Sequence, residues 1–114
     1  MAMNVKTNDR QVTENDIREM ARRIIAAADP VKVILFGSRA RGNARPTSDV
    51  DLLVIERDPV THRKEATRLR RLLRDFKVPI DIVVMGQSFA ERYWDIQGTV
   101  LYPAFREGKV LYGQ

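Results

Sequence analysis

Three short apolar segments most constrain the fold of this chain: residues 31–36, 50–55 and 78–85. Each has the length and the β-branched composition of a mostly buried strand. Apolar residues recur at helical spacing in two further segments, residues 17–28 before the first strand and residues 66–76 between the last two. This alternation predicts an α/β or α+β fold, in which helices pack on a small mixed β-sheet.

Cap and turn residues mark the ends of these elements. Thr13 precedes acidic residues and is expected to cap the first helix, which Asp29 and Pro30 end. The second helix is predicted over residues 61–76. Beyond the third strand we expect short helices over residues 88–94 and 100–106 and a last strand over residues 109–112. Because no repeat or linker interrupts the chain, we expect a flexible N-terminus over residues 1–12 and a single domain over residues 13–114.

The composition excludes several classes of site and favours one class of partner. The chain has no cysteine and one histidine, which excludes disulfides, thiolate metal sites and multi-histidine clusters. No apolar run approaches the ~20 residues that a membrane span needs, and the start lacks a signal-peptide core, so we expect a cytoplasmic protein with no membrane partner. The formal net charge of +5 favours nucleotides, nucleic acid or an acidic protein surface as partners.

Gly37 and Ser38 directly follow the first predicted strand. Glycine lets the backbone approach a phosphate closely, and the short helical turn predicted after it offers free N–H donors. Neither a Walker A motif nor a dinucleotide-binding fingerprint is present. Taken alone, a Gly-Ser pair is more often an ordinary turn, so both interpretations stay open.

Asp49, Asp51 and Asp81 are the acidic residues that stand out. Alternate residues of a strand share a face, so Asp49 and Asp51 point the same way, ~6–7 Å apart. Their repulsion would be offset by a cation, and oxygen ligands suit Mg²⁺, but such a pair can also simply face water. Asp81 lies between apolar residues of the third strand, where an unpaired buried acid is costly. It either pairs with an arginine or completes a three-carboxylate cluster of the kind that holds two metal ions ~3.5–4 Å apart.

The second predicted helix carries many basic residues off its apolar stripe. They are Arg63, Lys64, Arg68, Arg70, Arg71 and Arg74. A face of this kind is commonly just solvated, and its functional interpretation is contact with an acidic partner surface or with RNA.

The two motifs together resemble the signature of the minimal nucleotidyltransferases of the polymerase-beta superfamily. That signature is Gly-Ser, ten residues and Asp-x-Asp, and residues 39–48 are the ten. Asp81 matches the third acid of the family, which lies on a later strand between apolar residues. The resemblance extends over about residues 13–112 and implies the polymerase-beta-type nucleotidyltransferase fold.

The resemblance also implies roles for individual residues. Gly37 and Ser38 would bind the phosphates of ATP, and Arg39 and Arg41 are further candidates for phosphate contact, unless they form local ion pairs or face water. The catalytic acids also bind metal, two Mg²⁺ ions with Mn²⁺ as a substitute. They are Asp49, Asp51 and Asp81, of which Asp81 would in addition activate the acceptor hydroxyl.

Stand-alone members of this family are typically antitoxins encoded beside a HEPN-domain ribonuclease toxin. The resemblance therefore implies a type VII-like antitoxin that binds its cognate HEPN toxin in a hetero-oligomer and transfers AMP from ATP to a toxin tyrosine. Larger relatives hold the acceptor with an extra domain, whereas this chain ends soon after its third acid, so we expect another molecule to supply the acceptor. Two alternatives remain: a nucleotidyltransferase with a small-molecule or RNA acceptor, and an antitoxin that neutralises by binding alone. The sequence leaves open the acceptor, the number of AMP units and the stoichiometry of the complex.

Overall fold

The computed structural model of the protein describes residues 12–45, 48–99 and 101–113. The predicted flexible N-terminus thus lies outside the described residues except for Val12, and so does Val100, the first residue of a predicted helix. The elements, in chain order, are α1 (Glu14–Ala28), β1 (Lys32–Phe36), α2 (Ser38–Arg41), β2 (Val50–Glu56), α3 (His62–Leu72), β3 (Ile80–Gly86), α4 (Gln87–Tyr93), α5 (Leu101–Glu107) and β4 (Lys109–Tyr112). None of the helices in these ranges has the length and apolar character that crossing a membrane requires.

The described strands form one four-stranded mixed sheet in the order β3-β2-β1-β4. β1 is antiparallel to both β2 and β4, whereas β2 and β3 are parallel and are connected through α3. The register places Phe36 opposite Asp51 on β2, and Asp51 opposite Asp81 on β3. The predicted mixed sheet with packed helices is confirmed, and the register brings the end of β1 to the starts of β2 and β3.

Each face of the sheet has its own apolar core. On one face, Leu52 and its neighbours pack against α1 and α3, where Leu69 is fully buried. On the other face, Leu53 packs with residues of α4 and α5, including Leu101. Because side chains alternate along a strand, Asp51 lies on the same face as Leu53.

The start of α1 is held by the cap that the sequence predicts. Thr13 is the N-cap, and its Oγ accepts a hydrogen bond from the Asp16 N–H at 3.1 Å. The Asp16 carboxylate accepts one in return from the Thr13 N–H at 3.0 Å. Asp29 is the C-cap, with a left-handed φ of 46°. Both predicted ends of this helix are therefore confirmed.

The predicted end of the second helix is wrong. α3 ends at Leu72, whereas the apolar pattern continues to Phe76. The Leu72 carbonyl, which a continuing helix would offer to the Phe76 N–H, accepts a hydrogen bond from the Arg23 guanidinium of α1 at 2.9 Å. The Phe76 N–H donates instead to Leu73, and Arg23 also binds the carboxylate of Asp75. The contact between the two helices thus replaces the last helical turn.

Candidate active site

Gly37 forms the turn between β1 and α2, and its missing side chain leaves room for an acid. Its φ is +78°, a conformation that residues with a Cβ rarely adopt. A Cβ at this position would also collide with Oδ2 of Asp51. Glycine is therefore needed both for the turn and for the close approach of the Asp51 carboxylate. The two halves of the sequence motif meet at this contact.

Ser38 begins α2 directly behind Gly37. The Gly37 carbonyl accepts hydrogen bonds from the N–H groups of Ala40 and Arg41, at 3.1 and 3.2 Å, and these bonds close the helical turn. The Ser38 side chain is half-buried, and its hydroxyl has no hydrogen-bond partner among the described residues. This hydroxyl is therefore available to a ligand.

The charges of the three predicted catalytic acids interact with one another. Asp51 is half-buried on β2, Asp81 lies opposite it on β3, and Asp49 immediately precedes β2. The pKa of Asp51 is raised above its usual value, first by burial and then by the negative charges of Asp81 and Asp49. The Arg41 guanidinium partly offsets this rise. Burial and the two neighbouring acids therefore make the negative charge of Asp51 unfavourable at this end of the sheet.

Asp81 is exposed, so the expectation that it is a buried acid in need of a partner is wrong. It is the second residue of β3, an edge strand, and this end of β3 is open to solvent because no further strand covers it among the described residues. The strand register places it opposite Asp51 on the neighbouring strand, the position that the three-carboxylate alternative requires. The apolar neighbours of Asp81 thus predict its burial incorrectly, whereas its position beside Asp51 is set by the strand pairing.

The chemistry of the three acids, Asp49, Asp51 and Asp81, suits a divalent cation. Among the described residues, no group of three or more Asp, Glu or His side chains is arranged closely enough to hold a metal ion. The donors are all carboxylate oxygens, which hard cations such as Mg²⁺ prefer, and their mutual repulsion is of the kind that a cation offsets. Asp49, Asp51 and Asp81 are the residues that would hold the ion, and this assignment stays a prediction.

Arg39 has a contact that the sequence pattern does not indicate. Its Nε and Nη2 donate hydrogen bonds to the Ser48 carbonyl at 3.1 and 2.7 Å. The Ser48 Oγ accepts a hydrogen bond from the Arg45 N–H at 2.8 Å, and the Ser48 N–H donates to the Arg45 carbonyl at 3.0 Å. Arg39 thereby holds the backbone immediately before Asp49. A phosphate-binding role for Arg39 and Arg41 stays a prediction.

This fold, with a Gly-Ser turn set against acidic strand starts, defines a domain of the nucleotidyltransferase type. The chain matches the family model described as nucleotidyltransferase domain over residues 15–102, well over half of its length. It belongs to this family, and the resemblance predicted from the Gly-Ser and Asp-x-Asp motifs is confirmed. None of the curated proteins matches the sequence.

Several solved structures share the fold. A toxin-antitoxin crystal structure with AMP-PNP is 22% identical, with a TM-score of 0.61 over 85% of this chain and 73% of that one. A mutant of the toxin-antitoxin MntA-HpeT is also 22% identical, with a TM-score of 0.58 over 90% of this chain and 75% of that one. A protein from Sulfolobus solfataricus assigned as a nucleotidyltransferase is 17% identical, with a TM-score of 0.58 over 86% and 78% of the two chains. At these identities the likeness establishes the fold.

Proposed function

We propose that this protein is a Mg²⁺-dependent adenylyltransferase that acts as an antitoxin. It transfers AMP from ATP to a tyrosine of a separate HEPN-domain toxin in the cytoplasm, through one domain spanning residues 13–114. The observation that carries the proposal is the meeting of Gly37, Asp51 and Asp81 at one end of the sheet. Membership of the nucleotidyltransferase family supports the reaction class. The likeness to toxin-antitoxin structures, one of them with AMP-PNP, supports ATP as donor and a toxin as acceptor.

The residues at this end of the sheet have complementary tasks in such a transfer. The tyrosine oxygen attacks the α-phosphorus of ATP, a new O–P bond forms, and the bond to the departing pyrophosphate breaks. The hydroxyl proton passes to the Asp81 carboxylate, which an acceptor on another molecule can reach because Asp81 is exposed. The Gly37 backbone and the Ser38 hydroxyl orient the triphosphate. Asp49, Asp51 and Asp81 would hold Mg²⁺, which when bound would neutralise charge on the triphosphate and on the departing pyrophosphate.

Intact-mass spectrometry of the antitoxin, its cognate HEPN toxin, ATP and Mg²⁺ tests the proposal. We expect the mass of whole AMP units to be added to the toxin and none to this chain. Asp81→Asn should bind the nucleotide but lose about two to four orders of magnitude in transfer rate, because the proton acceptor is gone. Asp95→Asn is the matched control, since Asp95 is an exposed acid away from this end of the sheet.

Other results would replace the proposal with a specific alternative. An unmodified toxin, with labelled AMP found on RNA or on a small molecule, would change the acceptor. Full transfer by Asp81→Asn would make Asp81 a structural acid. Neutralisation of the toxin by an inactive Asp81→Asn would show that binding alone suffices.

A further inference from the structure

An open groove on the surface of α3 is lined almost entirely by cations. Its volume is about 430 Å³, and its walls are Arg63, Lys64, Thr67, Arg68 and Arg71. Four of these side chains are positively charged, and the fifth offers a hydroxyl. The groove is at the surface of the helix, and the charges are on the side opposite to the buried Leu69.

The charge of this groove is largely unbalanced. Arg68 is held by the Glu65 carboxylate at 2.9 and 2.6 Å and also donates to the Ala27 carbonyl at 3.2 Å. In the part of the chain that the structure describes, the side chains of Arg63, Lys64 and Arg71 have no hydrogen-bond or ion-pair partner. The four cations therefore face one carboxylate, and the groove has three positive charges in excess. Such an excess recruits a ligand with several negative charges.

The residues that line the groove follow one another along the helix. Arg63, Thr67 and Arg71 are spaced four residues apart within α3, which places them on successive turns ~5.4 Å apart. α3 leads from the end of β2 to the start of β3, and these strands are parallel. Its last turn therefore lies toward the end of the sheet where Asp81 is located. A linear array suits a chain of phosphates better than it suits one isolated anion.

The surroundings of the groove favour nucleic acid over a protein surface. Stable protein interfaces have an apolar core enriched in aromatic residues and depleted of charge. Within the described ranges, the exposed large apolar residues lie instead in or beside α4 and in β4: Phe89, Trp94, Ile96, Val110 and Tyr112. Arginine, which dominates the groove, binds phosphate oxygens with two parallel hydrogen bonds.

We propose that the α3 groove binds the phosphodiester backbone of a nucleic acid strand, without regard to base sequence. Of the residues that the structure describes, no aromatic one lines the groove to stack on a base, so binding depends on charge and on salt. This binding site is separate from the proposed adenylyl transfer and does not rest on it.

Fluorescence anisotropy with a labelled 20-nucleotide oligouridylate tests the proposal on the full chain. We expect log K to fall linearly with log salt with a slope of about −2 to −3, because each of the three or four cations that contact phosphates contributes ~0.7 to the slope. Replacing two cations, in the variant Arg63→Gln with Arg71→Gln, should flatten the slope by about 1.4 and weaken binding by on the order of tenfold per residue at low salt. Circular dichroism verifies that the variant is folded.

Two matched variants test whether binding depends on the cations of the groove, on the net charge alone or on the shape of the arginine side chain. Arg92→Gln with Arg106→Gln removes the same charge from exposed positions on α4 and α5, and should leave both slope and affinity near those of the wild type. Arg63→Lys with Arg71→Lys keeps the charge and should retain most of the binding. Equal losses in the two Gln pairs, or no binding by the wild type, would overturn the proposal. If Arg63→Gln with Arg71→Gln kept the wild-type affinity for oligouridylate but formed a weaker complex with another protein, the proposal would be overturned in favour of an acidic protein partner.

Discussion

Gly37 and Gly98 both have a positive φ, +78° and +95°, but their surroundings differ. A Cβ at Gly37 would collide with the Asp51 carboxylate, whereas nothing described lies within 4 Å of a Cβ at Gly98. Alanine should cost each site about 1–3 kcal/mol of backbone strain. Only Gly37→Ala should lose affinity for ATP with Mg²⁺, because only there is Asp51 displaced. Calorimetric titration compares the two, and equal affinities would show that the contact with Asp51 is not needed for nucleotide binding.

The two hydrogen bonds from Arg39 to the Ser48 carbonyl give a second residue-level prediction. In Arg39→Gln the backbone before Asp49 loses this support, and we expect the transfer rate to fall by about tenfold to a hundredfold, since small displacements of a catalytic group are costly. Arg39→Lys should recover little, because one ammonium cannot reproduce both bonds. Steady-state kinetics would show the loss mainly in kcat. A rise in KM for ATP with an unchanged kcat would instead assign Arg39 to the phosphates.

At the level of elements, the end of β2 meets α3 through a pair of carboxyl groups. Oε2 of Glu56 is buried and has no hydrogen-bond donor among the described residues. Burial, followed by the neighbouring Glu65, raises the pKa of Glu56 to about 8, with Arg68 opposing the rise. The Arg68 guanidinium lowers the pKa of Glu65, so Glu65 stays ionised and can accept the Glu56 proton in a hydrogen bond.

This carboxyl pair predicts that the protein becomes less stable as the pH rises. A folded-state pKa above the unfolded value of 4.5 gives stability that is complete below that value and is lost as the pH passes through about 8. The urea midpoint should therefore fall between pH 5 and pH 9. Glu56→Gln, which stays neutral and can still donate to Glu65, should largely remove the dependence. A midpoint in Glu56→Gln that falls as steeply as in the wild type would contradict this origin.

The helix ends show which structural features can be predicted from sequence patterns. The start of α1 could be predicted because its cap is local, a bond between Thr13 and Asp16 three residues apart. The end of α3 could not, because it is set by Arg23, which is 49 residues away from its acceptor Leu72. The pattern of apolar residues in one segment carries no information about a contact with a distant helix.

For the whole molecule, the motif spacing predicts which residues form the candidate site, and the topology explains how they meet. The sequence alone indicates neither the strand order β3-β2-β1-β4 nor the register of Asp51 with Asp81, because both depend on pairings between distant segments. The exposure of Asp81 follows from the edge position of β3, which is also a property of the sheet as a whole. The resemblance to a known family groups Asp81 with Asp49 and Asp51, a grouping that local patterns leave open.

Because the candidate site joins the ends of three strands, a ligand bound there should stabilise the entire fold. A ligand that binds only the folded state raises the free energy of unfolding by about 2.7 kcal/mol at a hundred times its Kd. We expect ATP with Mg²⁺ to raise Tm by several degrees and ATP with EDTA to leave it unchanged. Differential scanning fluorimetry measures both, with Asp95→Asn as a control that keeps the shift.

The variant Asp49→Asn with Asp51→Asn should show no shift in Tm with ATP and Mg²⁺. It should nevertheless be at least as stable as the wild type without ligand, because burial and repulsion already raise the pKa of Asp51 and make its charge unfavourable at neutral pH. If the ligand no longer raises the Tm of this variant, and the variant is as stable as the wild type without ligand, then the variant has lost binding and not folding. A full shift in EDTA, or in the double variant, would mean that backbone and arginine contacts alone hold the nucleotide and would remove the metal assignment of Asp49 and Asp51.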